Sequence, residues 1–421
     1  MFKSTFFLVL ICILPYSYGQ KNRFVENSAL RIDYQVFVSH NYDSINIVSI
    51  HKVNDFAFNP NSLLDVFNYG VHRVEMYDSA NHQLLYSKGF SSLYQEWQNT
   101  PEALDNRETF EMSFILPMPT KTVKLIHYNR NKENVFIATD TFYVSPRGLL
   151  CKPNIIKHPT HNIHFAGNSK KKFDLLIIPD GYSEKDELKM LDDFTKIGNG
   201  ILQCNPYSDI KEHINIKGLL VFSEERGIRD PNQKFLPKTI LNSSFNTFDS
   251  DRYLMLYDVW KMYDLATSTS FDGILIMCNT EKYGGGGIYN LYATTCADCA
   301  DFEFITIHEL GHSITGLADE YYSSEVSVED YYPLHIEPWE PNITTLIEFD
   351  KKWKTMIEED VPIPTPIEGY RGRIGVFEGA GYQAKGVYRP VVSCSMKDVV
   401  FNNFCPVCRQ AITKMVLFYT K

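Results

Sequence analysis

His308, Glu309 and His312 carry the densest chemistry in the chain, within the run FITIHELGHSITGLADEYY at residues 304–322. Their spacing is H-E-x-x-H. On an α-helix, positions i and i+4 share one face, so both imidazoles can point at one ion. Zinc accepts that geometry, and Glu309 is placed to handle the proton of a water activated there. Phe304, Ile305, Ile307, Leu310 and Ile314 make the other faces apolar, the pattern of a buried helix. Imidazoles and a carboxylate buried there are costly without a partner such as a metal. Gly316 is suited to end the helix in the left-handed conformation, turning the chain back beneath the ion. Asp319 then offers a third ligand, with Glu320 as the neighbouring alternative.

These residues resemble the metzincin pattern H-E-x-x-H-x-x-G-x-x-H with its later Met-turn. The glycine here falls one residue late, and Asp stands where the third His would. With that departure, G-L-A-D-E-Y, Y-G-G-G-G-I-Y-N and C-S-M-K…F-C-P-V-C are similar to the IgA peptidase family of zinc metalloendopeptidases. The resemblance implies a zincin-like catalytic domain acting on a protein or peptide. It implies Zn²⁺ held by His308, His312 and Asp319, and Glu309 as the base that later protonates the leaving amine. Asp319 is preferred to Glu320 because it keeps the Gly-x-x-ligand spacing. Met396 takes the place of the turn methionine, an apolar floor under the ion. Tyr388, Tyr382 and Tyr370 are candidate oxyanion donors.

The elements that must position these groups can be read outward from the motif. Phe173–Ile178, with the continuous apolar run Leu175–Ile178, is expected as a buried strand that breaks at Pro179. Ser183 and Asp186 have capping-box spacing for a helix reaching about residue 203. Strands are expected at 214–222 and 271–278, with a helix near 251–264 between them. This alternation predicts an α/β arrangement around a mostly parallel sheet. Asp180 reads as a strand-ending residue. The Gly284–Gly287 run lacks the Gly-Lys-Ser/Thr of a phosphate loop. Gly286, Gly287 and Ile288 are instead expected on an edge strand where an extended substrate could pair, with Tyr388 as a further substrate-facing residue. A short helix is expected around 349–358, a mobile glycine-rich cleft wall at 369–386, and a terminal helix at 405–418.

Upstream, Ile32, Tyr34, Val36 and Val38 alternate with polar neighbours. Further strands are expected at 45–52, 71–77, 109–116, 121–128 and 134–144, the spacing of an antiparallel β-sandwich. The expected organisation is therefore multidomain α+β and α/β: residues 1–19 a signal peptide, 20–146 the sandwich, 147–421 the catalytic domain. His158, His161 and His164 recur every third residue on an expected extended loop, with no shared face for an ion.

At 421 residues the chain can bury more than one sizeable core. Its net charge of −10 argues against nucleic acid or an anionic membrane as the main partner. The apolar run Phe6–Leu14 is too short to span a bilayer, and Ser17 and Gly19 suit cleavage before Gln20. An exported protein without a membrane span is expected, in the periplasm, on the cell surface or secreted. Export favours disulfides or free thiols over zinc knuckles at Cys296/Cys299 and Cys405/Cys408. The competing function class is a catalytically silent binding protein or adhesin on the same scaffold. A decayed enzyme would have lost one of His308, Glu309, His312 or Asp319, and all four are present.

Overall fold

The computed structural model describes residues 23–152, 155–322, 332–400 and 403–421. The expected signal peptide lies outside the described residues. The chain begins with seven strands and a short helix: β1 (Phe24–Ser39), β2 (Tyr42–Asn54), β3 (His72–Asp78), β4 (Leu84–Phe90), α1 (Leu93–Trp97), β5 (Glu108–Pro119), β6 (Val123–Arg130) and β7 (Phe136–Val144). They form two antiparallel sheets, ordered β2-β1-β5 and β4-β3-β6-β7. Phe114 on β5 joins them, its ring centroid 5.7 Å from Phe90 on β4 and 6.1 Å from His127 on β6. Residues 84–90 and 93–97, not foreseen as elements, add the outer strand and the helix.

A six-stranded sheet follows, ordered β12-β13-β11-β9-β10-β8. Its strands are β8 (Thr160–His164), β9 (Phe173–Asp180), β10 (Ile214–Leu219), β11 (Gly273–Cys278), β12 (Gly285–Ile288) and β13 (Tyr292–Cys296). The four inner strands are parallel, and β8 and β12 pair antiparallel at the two edges. His161 and His164 thus lie on a strand, not on the expected loop. The helices are α2 (Glu187–Gln203), α3 (Val259–Ala266), α4 (Phe302–Thr315) and α5 (Pro406–Phe418), and a hairpin pairs β14 (Phe377–Ala380) with β15 (Gln383–Arg389).

The position of β9 explains why Leu175–Ile178 is apolar without alternation. Successive side chains point to opposite faces of a strand. Leu176 and Ile178 join the core shared with the N-terminal sheets, whereas Phe173, Leu175 and Ile177 face the core that α2, α4 and α5 complete. Both faces are covered, so no polar alternation is needed.

Three expectations change. The helix near 251–264 begins only at Val259, because Tyr253 and Met255 are taken into β-bridges with Gly285 and Ser244. The helix expected over 349–358 is two 3₁₀ turns, at 349–351 and 354–356. Asp180 does more than end a strand. Fully buried, it accepts hydrogen bonds from the backbone of Leu241 and Ser243 and from the Thr239 hydroxyl, which anchors that loop.

Candidate active site

Helix α4 is held between β12 and a turn containing Met396, and glycine makes both contacts. A Cβ on Gly287 would lie 2.4 Å from the Glu309 carbonyl oxygen, and one on Gly285 would lie 2.7 Å from Ile305. The glycine run therefore lets the edge strand lie directly on the helix. On another side, a Cβ on Gly311 would meet Met396 Sδ at 2.9 Å, and Met396 is fully buried. Met396 thus packs against the helix backbone between the two histidines.

Backbone carbonyls orient both imidazoles. His308 Nδ1 lies 2.8 Å from the Ser395 oxygen, and His312 Nδ1 lies 2.6 Å from the Leu317 oxygen. A carbonyl only accepts, so each Nδ1 carries a proton and each Nε2 faces the site. The helix stops at Gly316, whose φ of 67° is left-handed. A Cβ at Gly316 would also lie 2.6 Å from the Trp339 ring. After this turn Asn342 accepts from the Ala318 N–H and donates to its carbonyl. Asp319 Oδ1 is thereby brought 3.1 Å from His308 Nε2 and 3.3 Å from His312 Nε2. Glu320 turns away toward Asn342 and Cys408.

The three donors suit a metal ion. The two Nε2 atoms are 3.2 Å apart, so all three separations fall between 3.1 and 3.3 Å. A tetrahedral zinc site with bonds of about 2.0–2.1 Å has donor–donor edges of about 3.3–3.4 Å. Two imidazoles that both donate through Nδ1 present two acceptors to each other, which is repulsive unless a cation lies between them. Without an ion, a proton on His312 serves the same end. Burial opposes charge on His312, but the Asp319 carboxylate overrides it and pushes the imidazole up to about 9. Burial also opposes ionisation of Asp319, yet His312 and His308 hold its carboxyl well below the usual range. Burial raises Glu309, partly offset by the two histidines. Its carboxylate lies on the same face, within 4.8 Å of their donor atoms.

Tyr382 supports this arrangement. Its hydroxyl donates to Asp319 Oδ2, while its N–H donates to the Tyr321 oxygen and the Gly381 N–H to the Asp319 oxygen. Tyr382 sits at φ 66°, left-handed for a residue with a side chain. Such strain costs about 1–3 kcal/mol and persists where surroundings enforce it.

The donors form the floor of a cleft of about 680 Å³. Gly286, Gly287 and Ile288 line it, as do Tyr321, Trp339 and Lys397, while Tyr388 and Tyr370 do not. Tyr388 instead lies on β15, where its backbone pairs with Thr344. Of the glycine-rich stretch expected as a wall, Tyr382 in the hairpin turn lines the cleft. The edge of β12 is shorter than expected, because the Gly285 N–H and carbonyl are taken by Arg252 and Leu254. The two-residue period points the Gly287 groups the same way, toward the cleft.

One wall was not foreseen. Gln95, Glu96, Asn99 and Thr100, on α1 and just after it, line the cleft opposite the catalytic motif in sequence. The Tyr253 hydroxyl donates to Glu96 Oε2 at 2.5 Å, and burial pushes the Glu96 carboxyl up to about 7. Nothing in the local sequence of 91–100 marks it as part of a site over 200 residues away.

An open cleft with a buried carboxylate and a three-donor set suited to a cation at its floor has the chemistry hydrolysis needs and room for an extended chain. The chain belongs to the IgA Peptidase M64 family, whose model matches residues 162–373 and 368–416. A second model, Peptidase M64 N-terminus, matches residues 20–140. The protein is therefore a peptidase. No curated protein matches it.

Proposed function

We propose that the protein is an exported zinc-dependent endopeptidase, with a β-sandwich over residues 20–146 and a zincin-like catalytic domain over 147–421. The observation that carries this reading is the 3.1–3.3 Å triangle of His308, His312 and Asp319 donor atoms. Bound there, zinc would polarise the scissile carbonyl and acidify water.

The chain's own residues do the rest. The two imidazoles and Asp319 would hold the ion, and Tyr382 orients the Asp319 carboxylate, as outer partners of ligands do. Glu309 takes a proton from the attacking water and delivers it to the leaving amine. The Gly287 N–H and carbonyl offer one pair of backbone hydrogen bonds to an extended substrate. Trp339 and, from α1 and the residues after it, Gln95, Glu96, Asn99 and Thr100 line the cleft. Host glycoproteins and immunoglobulins are the first proteins to assay, and export is the corresponding localisation. Among the described residues, no helix is long and apolar enough to cross a membrane.

Cleavage of a diverse peptide library by wild type and Glu309→Gln tests the reading. The variant should retain metal and lose at least about 10²-fold in kcat/KM. Undiminished hydrolysis would remove Glu309 from its role. Full metal loading with no cleavage of peptides or folded proteins would favour the silent binding protein.

A further inference from the structure

A second cluster of ionisable groups lies outside the cleft and plays no part in the reaction above. Glu320, Cys394, Cys405 and Cys408 are at most 4% exposed. One donor atom from each falls within 4.8 Å of the others. We propose that these four side chains hold a structural zinc ion, separate from the ion of the histidine site.

The distances carry the inference. Cys394 Sγ and Cys408 Sγ are 3.8 Å apart, and Cys408 Sγ lies 3.3 Å from Glu320 Oε1. With Zn–S of about 2.3 Å and Zn–O of about 2.0 Å, a tetrahedron has S···S edges of about 3.8 Å and S···O edges of about 3.5 Å. A disulfide needs about 2.0 Å between sulfurs, and none of these three cysteines is in one, whereas Cys296 and Cys299 are joined. Three thiols also cannot all pair among themselves.

Two further observations point to a ligand. Glu320 Oε2 is buried without a hydrogen-bond partner, a costly state for a carboxylate with nothing to neutralise it. Two backbone N–H groups aim at sulfur: Cys405 N at Cys394 Sγ, 3.3 Å, and Cys408 N at Cys405 Sγ, 3.4 Å. Such donors stabilise thiolate, the ligating form. Cys405 is moreover the N-cap of α5, whose N-terminal field favours negative charge. Three thiolates and a carboxylate around a divalent cation leave a net charge of −2, and buried Arg389 lies near enough to interact with Glu320.

The placement suggests what the ion does. Cys394 immediately precedes Ser395, whose carbonyl orients His308, and Met396, whose carbonyl accepts from the Glu320 N–H at 2.7 Å. Glu320 immediately follows Asp319. The ion ties the turn under α4, the segment carrying the third donor and the start of α5 into one block. The expectation of disulfides or free thiols at Cys405/Cys408 considered that pair alone; Glu320, 88 residues from Cys408, completes the set only in the fold.

Metal analysis of the purified full-length protein tests this, with cobalt spectra of the same protein. Wild type should bind about two zinc ions per chain. His308→Ala/His312→Ala should retain about one, and Cys408→Ser should lose it from the cysteine site. Cobalt in the double histidine variant should show a thiolate-to-cobalt charge-transfer band. This readout holds even if Cys408→Ser fails to fold, and it does not depend on peptidase activity. Absence of that band, or peptide mapping that finds any two of the three cysteines disulfide-bonded, overturns the proposal.

Discussion

His308 and His312 show how much one hydrogen bond decides at the scale of the residue. Each gives its Nδ1 proton to a backbone carbonyl, so the other nitrogen is committed to the site before any ligand arrives. Asp319 is fixed differently, by the Tyr382 hydroxyl on its carboxylate and by the Gly381 N–H on its backbone carbonyl. Of the three tyrosines that sequence offered as oxyanion donors, Tyr382 is committed to Asp319, and Tyr370 and Tyr388 do not line the cleft. Tyr382→Phe should therefore weaken metal binding by about 10–100-fold, with the fold retained. Competition with a chromophoric chelator measures this; unchanged affinity would show that the backbone alone orients Asp319.

Two buried histidines make the N-terminal sheets sensitive to acid, an effect at the scale of elements. His72 on β3 and His127 on β6 stack with centroids 5.6 Å apart. His72 is bonded to Asn129 and Ser92, and His127 to Thr139. Burial pushes His72 down to about 4, against a small opposing effect of Asn129. Burial and then the neighbouring His72 also push His127 well below the usual histidine range. An unfolded histidine takes its proton near pH 6.5. Between that pH and about 4 the unfolded chain binds more protons than the folded one, so stability falls as pH falls. The contribution is fully present above pH 6.5, and His72 alone should cost about 2 kcal/mol by pH 5. Denaturant unfolding across this range should show a pH slope reduced by about one proton when His72→Gln is introduced. An unaltered slope would mean that the imidazole is not held neutral.

The N-terminal sheets and the six-stranded sheet share a core, and at the scale of the whole molecule a buried ion network joins them. Arg31 on β1 is fully buried, 2.7 Å from Asp33 and 2.6 Å from Asp264 on α3, and it also donates to the Trp260 carbonyl. Lys152 adds a second cation, 2.8 Å from Asp264. Removing one partner from such a network leaves a buried charge uncompensated. Arg31→Met should destabilise the protein by about 3–5 kcal/mol, read as a lower denaturation midpoint. A change below about 1 kcal/mol would show that Lys152 and the serines around Asp33 suffice.

Local chemistry was legible in the sequence because it depends on short spacings. Histidines at i and i+4 share a helix face, glycine ends that helix, and apolar runs mark the covered strands β9 and β11. Sequence by itself therefore determined the helix that carries both histidines and Glu309, its glycine stop and the parallel sheet behind it, but it left Asp319 and Glu320 as alternatives until the fold turned Glu320 toward Asn342 and Cys408. Contacts between distant segments were not legible. Glu96 reaches the cleft from α1, Tyr382 reaches Asp319 from a hairpin turn, and Tyr388 is drawn away by its pairing with Thr344. The grouping of Glu320 with three cysteines is of the same kind. A periodic pattern reports which face of an element is buried, but only tertiary packing decides what that face meets.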